Sequence, residues 1–461
     1  MIQRKALMFL AEWKKSENRK PLVIRGARQV GKTTLVKEFA KQYDIFLDLN
    51  LEKPADRQLF EDYVHVHELI TAIFFLKEKR KDAGTVLLFI DEIQFSKRAV
   101  AILRYFYEEA NDIHVIVAGS LLETIIDVRQ ISFPVGRVQY MALRPCSFLE
   151  FLDGTGSGFD MDLIENLQVK PVIHDRIIKA FHHYTMIGGM PAIVAQYAQN
   201  KDIVSLKEIY EGLLISYQDD VEKYTKNAHL MRIIRTILSV GWASAGETVT
   251  FERFGGTSYS SKEISAAFQT IQKAMLLDLI YPTSETQMPV LQNYRKHPKL
   301  VWLDTGLVNF AAGVQKDIFS VSDIQDVWRG RIAEHIVAQE LLVQSNSLLA
   351  KRAFWRRNKQ GSEAEVDFVY FYNGLAIPIE VKSGHNSKLK SLHLYMESAP
   401  HDIAVRIWSQ PFSIDEVATK SGKKFNLLNL PFYYVGVIDK VLPMTSLEKR
   451  CLTPFGMTGA H

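Results

Sequence analysis

Cysteine is almost absent from this 461-residue chain: Cys146 and Cys451, far apart, are its two thiols. Two such residues make neither a disulfide framework nor a zinc site, and their scarcity fits a reducing cytoplasm. Missing too is any run approaching the ~20 apolar residues that a membrane span needs. The opening Met1-Ile-Gln-Arg-Lys-Ala-Leu-Met-Phe-Leu10 soon reaches Glu12 and Lys14-Lys15, too short and too charged for a signal peptide. The expectation is a cytoplasmic protein without a membrane partner. Charge of one sign is also lacking: 56 Lys and Arg against 52 Asp and Glu leave a net +4. That excess neither requires nor excludes nucleic acid, so local clustering must decide. There is no internal repeat and no low-complexity tract. A hydrophobic fraction of 47% excludes a disordered chain, and the length suits about three domains.

Short apolar runs punctuate the first third of the chain: Leu22-Val23-Ile24, Ile45-Phe46-Leu47, Thr85 to Ile90, Ile113 to Ala118 and Val138 to Leu143. Such runs between helical segments predict a parallel sheet covered on both faces. Residues 1–20 read as a basic amphipathic helix with Leu7, Leu10 and Trp13 on one face, stopped by Pro21. The glycines of Asp153-Gly-Thr-Gly-Ser-Gly158 predict a boundary. Residues 160–240 read as mostly helical. Ser260-Ser-Lys-Glu263 then has capping-box spacing, followed by Ile264, Phe268, Ile271 and Met275 at helical intervals. Leu276 to Tyr281 reads as a strand, completing the helix-then-strand pattern of a winged helix. A final α/β block starts near Trp328.

Gly26-Ala27-Arg28-Gln29-Val30-Gly31-Lys32-Thr33, with Thr34 behind it, matches G-x-x-x-x-G-K-[ST] between a strand and a helix. Glycine lets backbone N–H groups turn inward and cradle phosphate oxygens. The next helix aims its positive dipole end at the anion. Lys32 is placed for the β- and γ-phosphates of ATP, and Thr33 for Mg²⁺. Val86-Leu-Leu-Phe-Ile-Asp91-Glu92 is the matching acidic strand, with Asp91 delivered to the metal and Glu92 placed as general base. Ser120, ending the fourth run, either sits between the water and the γ-phosphate or caps a helix. Arg137 either stabilises transition-state charge on a neighbouring subunit's nucleotide or makes a structural ion pair.

These motifs, with Gly136-Arg137 ahead of Pro145-x-Ser-Phe-x-Glu-Phe151, resemble those of prokaryotic AAA-type ATPases that carry a C-terminal domain of unknown function. Gly188-Gly-Met-Pro191, Asp220 after Tyr217-Gln-Asp, Lys299-Leu-Val-Trp-Leu-Asp-Thr-Gly306 and Gly330-Arg-Ile-Ala-Glu334 fit the same family. The resemblance implies ATP binding and hydrolysis on an AAA-type core.

Near the C-terminus, Asp367 and the pair Glu380-Val-Lys382 lie in two alternating apolar runs, which predict a hairpin. Glu380 and Lys382 share one strand face, and the hairpin can set Asp367 beside Glu380. Two carboxylates at one edge can hold Mg²⁺ or Mn²⁺, with Lys382 steadying water or phosphate charge. The arrangement is similar to that of restriction-endonuclease-like nucleases, and Glu334 matches their accessory acid. Lys351-Arg-Ala-Phe-Trp-Arg-Arg357 reads either as a phosphate-and-base surface or as a solvated strand edge.

The expected fold class is α/β. A P-loop ATPase core spans 1–153, a helical lid 159–240, a winged-helix-like module 241–322 and a restriction-endonuclease-like domain 323–461. The expected function is ATP hydrolysis coupled to the C-terminal modules, acting on DNA or other nucleic acid, with homo-oligomerisation if Arg137 acts in trans. The alternatives are an ATP-regulated nuclease and an ATP-dependent binding switch without cutting.

Overall fold

A computed structural model describes residues 2–81, 84–119, 132–314, 330–358, 364–382 and 389–444. Its first unit is built on the apolar runs. Strands β1 (Leu22–Arg25), β2 (Ile45–Asn50), β3 (Val86–Asp91), β4 (Ile113–Ala118) and β5 (Gln139–Ala142) pair in the order β2-β3-β4-β1-β5. Every ladder in this sheet is parallel. All six residues of β3 are buried, as a strand covered on both faces must be. Alternation divides them: Leu87 and Phe89 join one apolar cluster, while Val86, Leu88 and Ile90 join another.

Helices α1 (Ala6–Lys15) and α2 (Lys32–Phe39) pack against each other in the first of these clusters. The N-terminal helix is shorter than its sequence pattern suggests. It ends at Ser16, whose ψ of 126° is extended, well before Pro21. Helices α3 (Pro54–Asp62), α4 (Val66–Leu76) and α5 (Lys97–Glu109) contribute to the second cluster.

Downstream, α6 (Phe148–Gly154) and α7 (Gly158–Glu165) flank the glycine-rich stretch, which is the turn between them. Gly156 takes the positive φ of 84° there, whereas the other two glycines sit at helix ends. The chain does not leave the core at this point, since Phe148, Phe151 and Leu152 are buried in the cluster that includes α8 (Pro171–Ile187) and α9 (Pro191–Asn200). Helices α10 (Lys207–Asp219) and α11 (Ala228–Val240) follow. Helix α12 (Ser261–Lys273) opens with the Ser260–Glu263 capping box and buries Ile264, Ala267, Phe268 and Ile271. Strand β6 (Leu277–Ile280) pairs antiparallel with β8 (Lys299–Trp302), while β7 (Pro282–Thr283) belongs to the larger C-terminal sheet.

That sheet also takes in β9 (Ala353–Arg356), β10 (Glu365–Tyr372), β11 (Leu375–Val381), β12 (Ile403–Trp408), β13 (Ser413–Ala418) and β14 (Lys424–Pro431). Its order is β13-β14-β12-β11-β10-β9-β7. Strands β10 and β11 form the expected hairpin, turned by Asn373 and Gly374 at φ of 46° and 77°. Helix α13 (Arg331–Val343) precedes the sheet.

One expectation fails here. Phe354 and Trp355, read above as part of either a nucleic-acid surface or a solvated edge, are buried, because β9 lies between β10 and β7. Arg352 is buried with them, donating to the Ala338 carbonyl at 2.6 Å and pairing with Asp278. Among the described residues, no helix is long and apolar enough to cross a membrane.

Candidate functional site

The loop from β1 to α2 lies at the C-terminal ends of parallel strands, where open α/β sheets bind ligands. A Cβ on Gly26 would lie 2.3 Å from the Leu143 carbonyl, so the loop can pass β5 only as glycine. Gly31 starts α2 at φ +91°. Lys32 is buried, and its ammonium donates to the carbonyls of Gly26 at 3.0 Å and Ala27 at 2.9 Å. Burial lowers its pKa to about 8 against the pull of Glu92 and Asp91. The Thr33 hydroxyl donates to Asp91 Oδ2 at 2.7 Å. Burial raises the pKa of Asp91, and the Thr33 hydrogen bond partly offsets this. Glu92 follows at φ +53°, a left-handed conformation uncommon for a side chain of this kind, with Gln94 donating to its carboxylate.

These residues border a cavity of about 530 Å³. Arg28, Lys32, Thr33, Asp91 and Glu92 line one part of it, and Ile2, Leu7, Pro191 and Ala195 add an apolar part. The pairing of a hydroxyl and a carboxylate beside a buried amine suits Mg²⁺ with a polyphosphate.

Two clamps on the loop were not legible in the motif. Arg4 donates to the Val30 carbonyl at 3.1 Å and pairs with Glu150 at 3.2 Å. Arg28 pairs with Asp220, which is almost fully buried at the end of α10, and the Tyr217 hydroxyl donates to the Arg28 carbonyl at 3.4 Å. Lys223 also reaches Asp220, at 2.9 Å, while Asp220 Oδ2 has no hydrogen-bond partner among the described residues.

Ser120 lies outside the described residues. Arg137 donates to Glu108 Oε1 at 2.7 Å, the ion pair anticipated as one of its two readings.

The glycine and aspartate motifs further along meet in a buried joint. Asp304 accepts from the Gly189 N–H at 2.6 Å, and Cys146 N–H donates to the Gly189 carbonyl at 2.7 Å. Tyr184 donates to Glu340 Oε1 at 2.6 Å, and Gln339 Nε2 donates to the Tyr184 hydroxyl at 3.1 Å. Helix α9, whose Pro191 borders the cavity, begins two residues after Gly189.

In the C-terminal sheet the register Phe368↔Ile379 sets Asp367 directly opposite Glu380. Glu380 pairs with Lys382 at 2.7 Å, and Asp367 Oδ2 accepts from the Val381 N–H at 2.7 Å. Glu334 does approach this cluster, but Lys299, absent from the expected set, stands between. Its ammonium lies 2.8 Å from Glu334, 3.0 Å from Glu365 and 3.6 Å from Asp367.

Residues 18–152 match a family model described as an AAA domain. Residues 178–318 and 329–425 match two domains of unknown function, DUF8612 and DUF4143. No curated protein matches the chain. Among solved structures, C. elegans PCH-2 is similar at 16% identity and a TM-score of 0.27, over 43% of this chain and 60% of that one. The Aeropyrum pernix ORC2 protein (ADPNP–ADP complexes) is similar at 12% identity and a TM-score of 0.27, over 68% of this chain and 93% of that one. The ORC1 protein of the same organism, in complex with DNA, is similar at 13% identity and a TM-score of 0.28, over 69% and 94%. The unit that holds Gly26–Thr33 and Asp91 is an AAA-type P-loop domain, followed by two stretches that match domains of unknown function.

Proposed function

We propose that this protein binds and hydrolyses ATP at Gly26–Thr34 and uses the nucleotide state to reset its helical and C-terminal modules. The observation that carries this reading is the contact of Thr33 with Asp91 beside the buried Lys32 ammonium. Thr33 and Asp91 would hold Mg²⁺, which when bound neutralises phosphate charge. The loop amides and Lys32 bind and orient the β- and γ-phosphates, and Glu92 orients a water for in-line attack. The Arg28–Asp220 pair supports coupling, because the phosphate-facing loop is tied through it to α10.

Action on DNA is the finer part of the proposal. It is supported by exposed Tyr294, Arg295, Lys296 and His297 beyond β7, and by exposed Lys262 and Lys273 on α12. Half-buried Arg137 would serve a neighbouring subunit only by leaving Glu108. The nuclease alternative draws support from Asp367 opposite Glu380, whereas Lys299 among the carboxylates favours a switch that does not cut.

Lys32→Ala removes the charge facing the phosphates and is expected to abolish ATP binding, measured by calorimetry with Mg²⁺. Unchanged affinity in a folded variant refutes the site. ATP turnover measured alone, then with single- and double-stranded DNA, tests the coupling: stimulation supports action on DNA, and its absence favours a protein partner.

A further inference from the structure

The carboxylate cluster of the C-terminal sheet does not fit a divalent cation. Mg²⁺ demands near-octahedral coordination by about six oxygens, and the free lone pairs must converge on one point. Here most of the oxygens already face a cation or an N–H. Glu365 spends Oε1 on Lys299 at 3.0 Å and Oε2 on Arg356 at 2.7 Å. Asp367 turns Oδ2 to the Val381 N–H, and its Oδ1 faces Lys299 at 3.6 Å. Glu380 Oε1 is held by Lys382, and among the described residues Glu380 Oε2 is buried without a hydrogen-bond partner. Among the described residues, no group of three or more acidic, histidine or cysteine side chains is arranged to hold a metal.

Lys299 is the cause. It is the first residue of β8, so backbone pairing with β6 fixes where its side chain starts. The side chain is 5% exposed, and its ammonium lies over the rings of Phe354 and Phe368, 5.1 and 5.8 Å from their centroids. The ammonium so placed lies within ion-pair distance of Glu334, Glu365 and Asp367 at once. Four carboxylates (Glu334, Glu365, Asp367, Glu380) thus meet three cations (Lys299, Arg356, Lys382). Adding a divalent ion would place like charges within a few ångströms of each other in a poorly solvated site.

We infer that Lys299 takes the place a divalent cation would hold in this cluster, closing the nuclease-like site to metal with a tethered ammonium. The cluster is then a joint. It ties β8, which belongs to the winged-helix-like stretch, to α13 and the β10–β11 hairpin. The inference is independent of the nucleotide site.

The test uses nucleotide-free full-length protein titrated with Mn²⁺ and read by electron paramagnetic resonance. Wild type is expected to show no saturable site that depends on Asp367, so wild type and Asp367→Asn should bind alike. Lys299→Met keeps the stem and deletes the charge. It should gain a site at least about tenfold tighter than any in wild type, and Asp367→Asn in that background should remove it. Lys299→Arg, which keeps the charge, should gain nothing. Saturable Mn²⁺ binding in wild type that is lost in Asp367→Asn overturns the inference, and so does a folded Lys299→Met that gains no site. Should Lys299→Met fail to fold, the wild-type and Asp367→Asn titrations still decide whether the site is closed.

Discussion

Replacing Asp220 with Asn perturbs the link between the phosphate loop and α10 while keeping its shape. Arg28 pairs with Asp220, yet it also borders the cavity with Glu92. If the γ-phosphate recruits Arg28, ATP must first break that pair, and the cost appears in its affinity. The size follows from exposure. Asp220 is 1% exposed but the Arg28 side chain is 38% exposed, so the pair lies between a surface bridge and a fully buried one. Solvent screening on the arginine side brings the cost to about 1–2 kcal/mol. Asp220→Asn should therefore tighten ATP binding about 5- to 30-fold and leave ADP within about twofold. Calorimetry with each nucleotide in Mg²⁺ measures both, and the thermal midpoint checks folding. Arg28→Ala combined with Asp220→Asn should erase the gain. Equal tightening of ATP and ADP, or an unchanged ratio in a folded variant, refutes the idea that Arg28 trades Asp220 for phosphate.

Other outcomes follow from the same geometry. Glu92→Gln should bind ATP normally and lose turnover by about 100-fold or more, measured by phosphate release; normal hydrolysis moves the base elsewhere. Glu340, fully buried in the joint with Tyr184, has its carboxyl pushed up to about 7 by burial, from an ordinary 4.5. Between those values the folded chain keeps a proton that the unfolded chain has released. This group's contribution is therefore largest below about pH 4.5, falls as pH rises to about 7 and is flat beyond, a change on the order of 3 kcal/mol. Glu340→Gln should lose that slope, so urea midpoints at pH 5 and pH 8 should diverge between variant and wild type; parallel curves count against the assignment.

The phosphate loop could be read from the chain because its chemistry is local. Gly26, Gly31, Lys32 and Thr33 act through backbone turns and a helix start a few residues long, and the apolar run ending at Asp91 announces a buried strand. The β10–β11 hairpin was legible for a similar reason, since two alternating runs close together in the chain predict it over short range; the structure adds the Asn373-Gly374 turn. The glycines at 153–158 follow directly on the stretch that matches the AAA domain, yet they form a turn between two helices of one core and not a linker, which only the burial of flanking residues such as Phe151 shows. Phe354 and Trp355 misled: nothing local shows that β7 covers the far side of β9.

The order of residues along the chain by itself determined the phosphate loop, its acidic partner strand and the opposition of Asp367 to Glu380. Only the tertiary structure decided that Arg4 and Arg28 clamp the loop, that Gly189 meets Asp304, and that Lys299 enters the carboxylate cluster. These contacts span tens to more than a hundred residues, as Lys299 to Asp367 and Gly189 to Asp304 do. A charge so far along the chain finds its partner through the packing of whole elements, which no short spacing records.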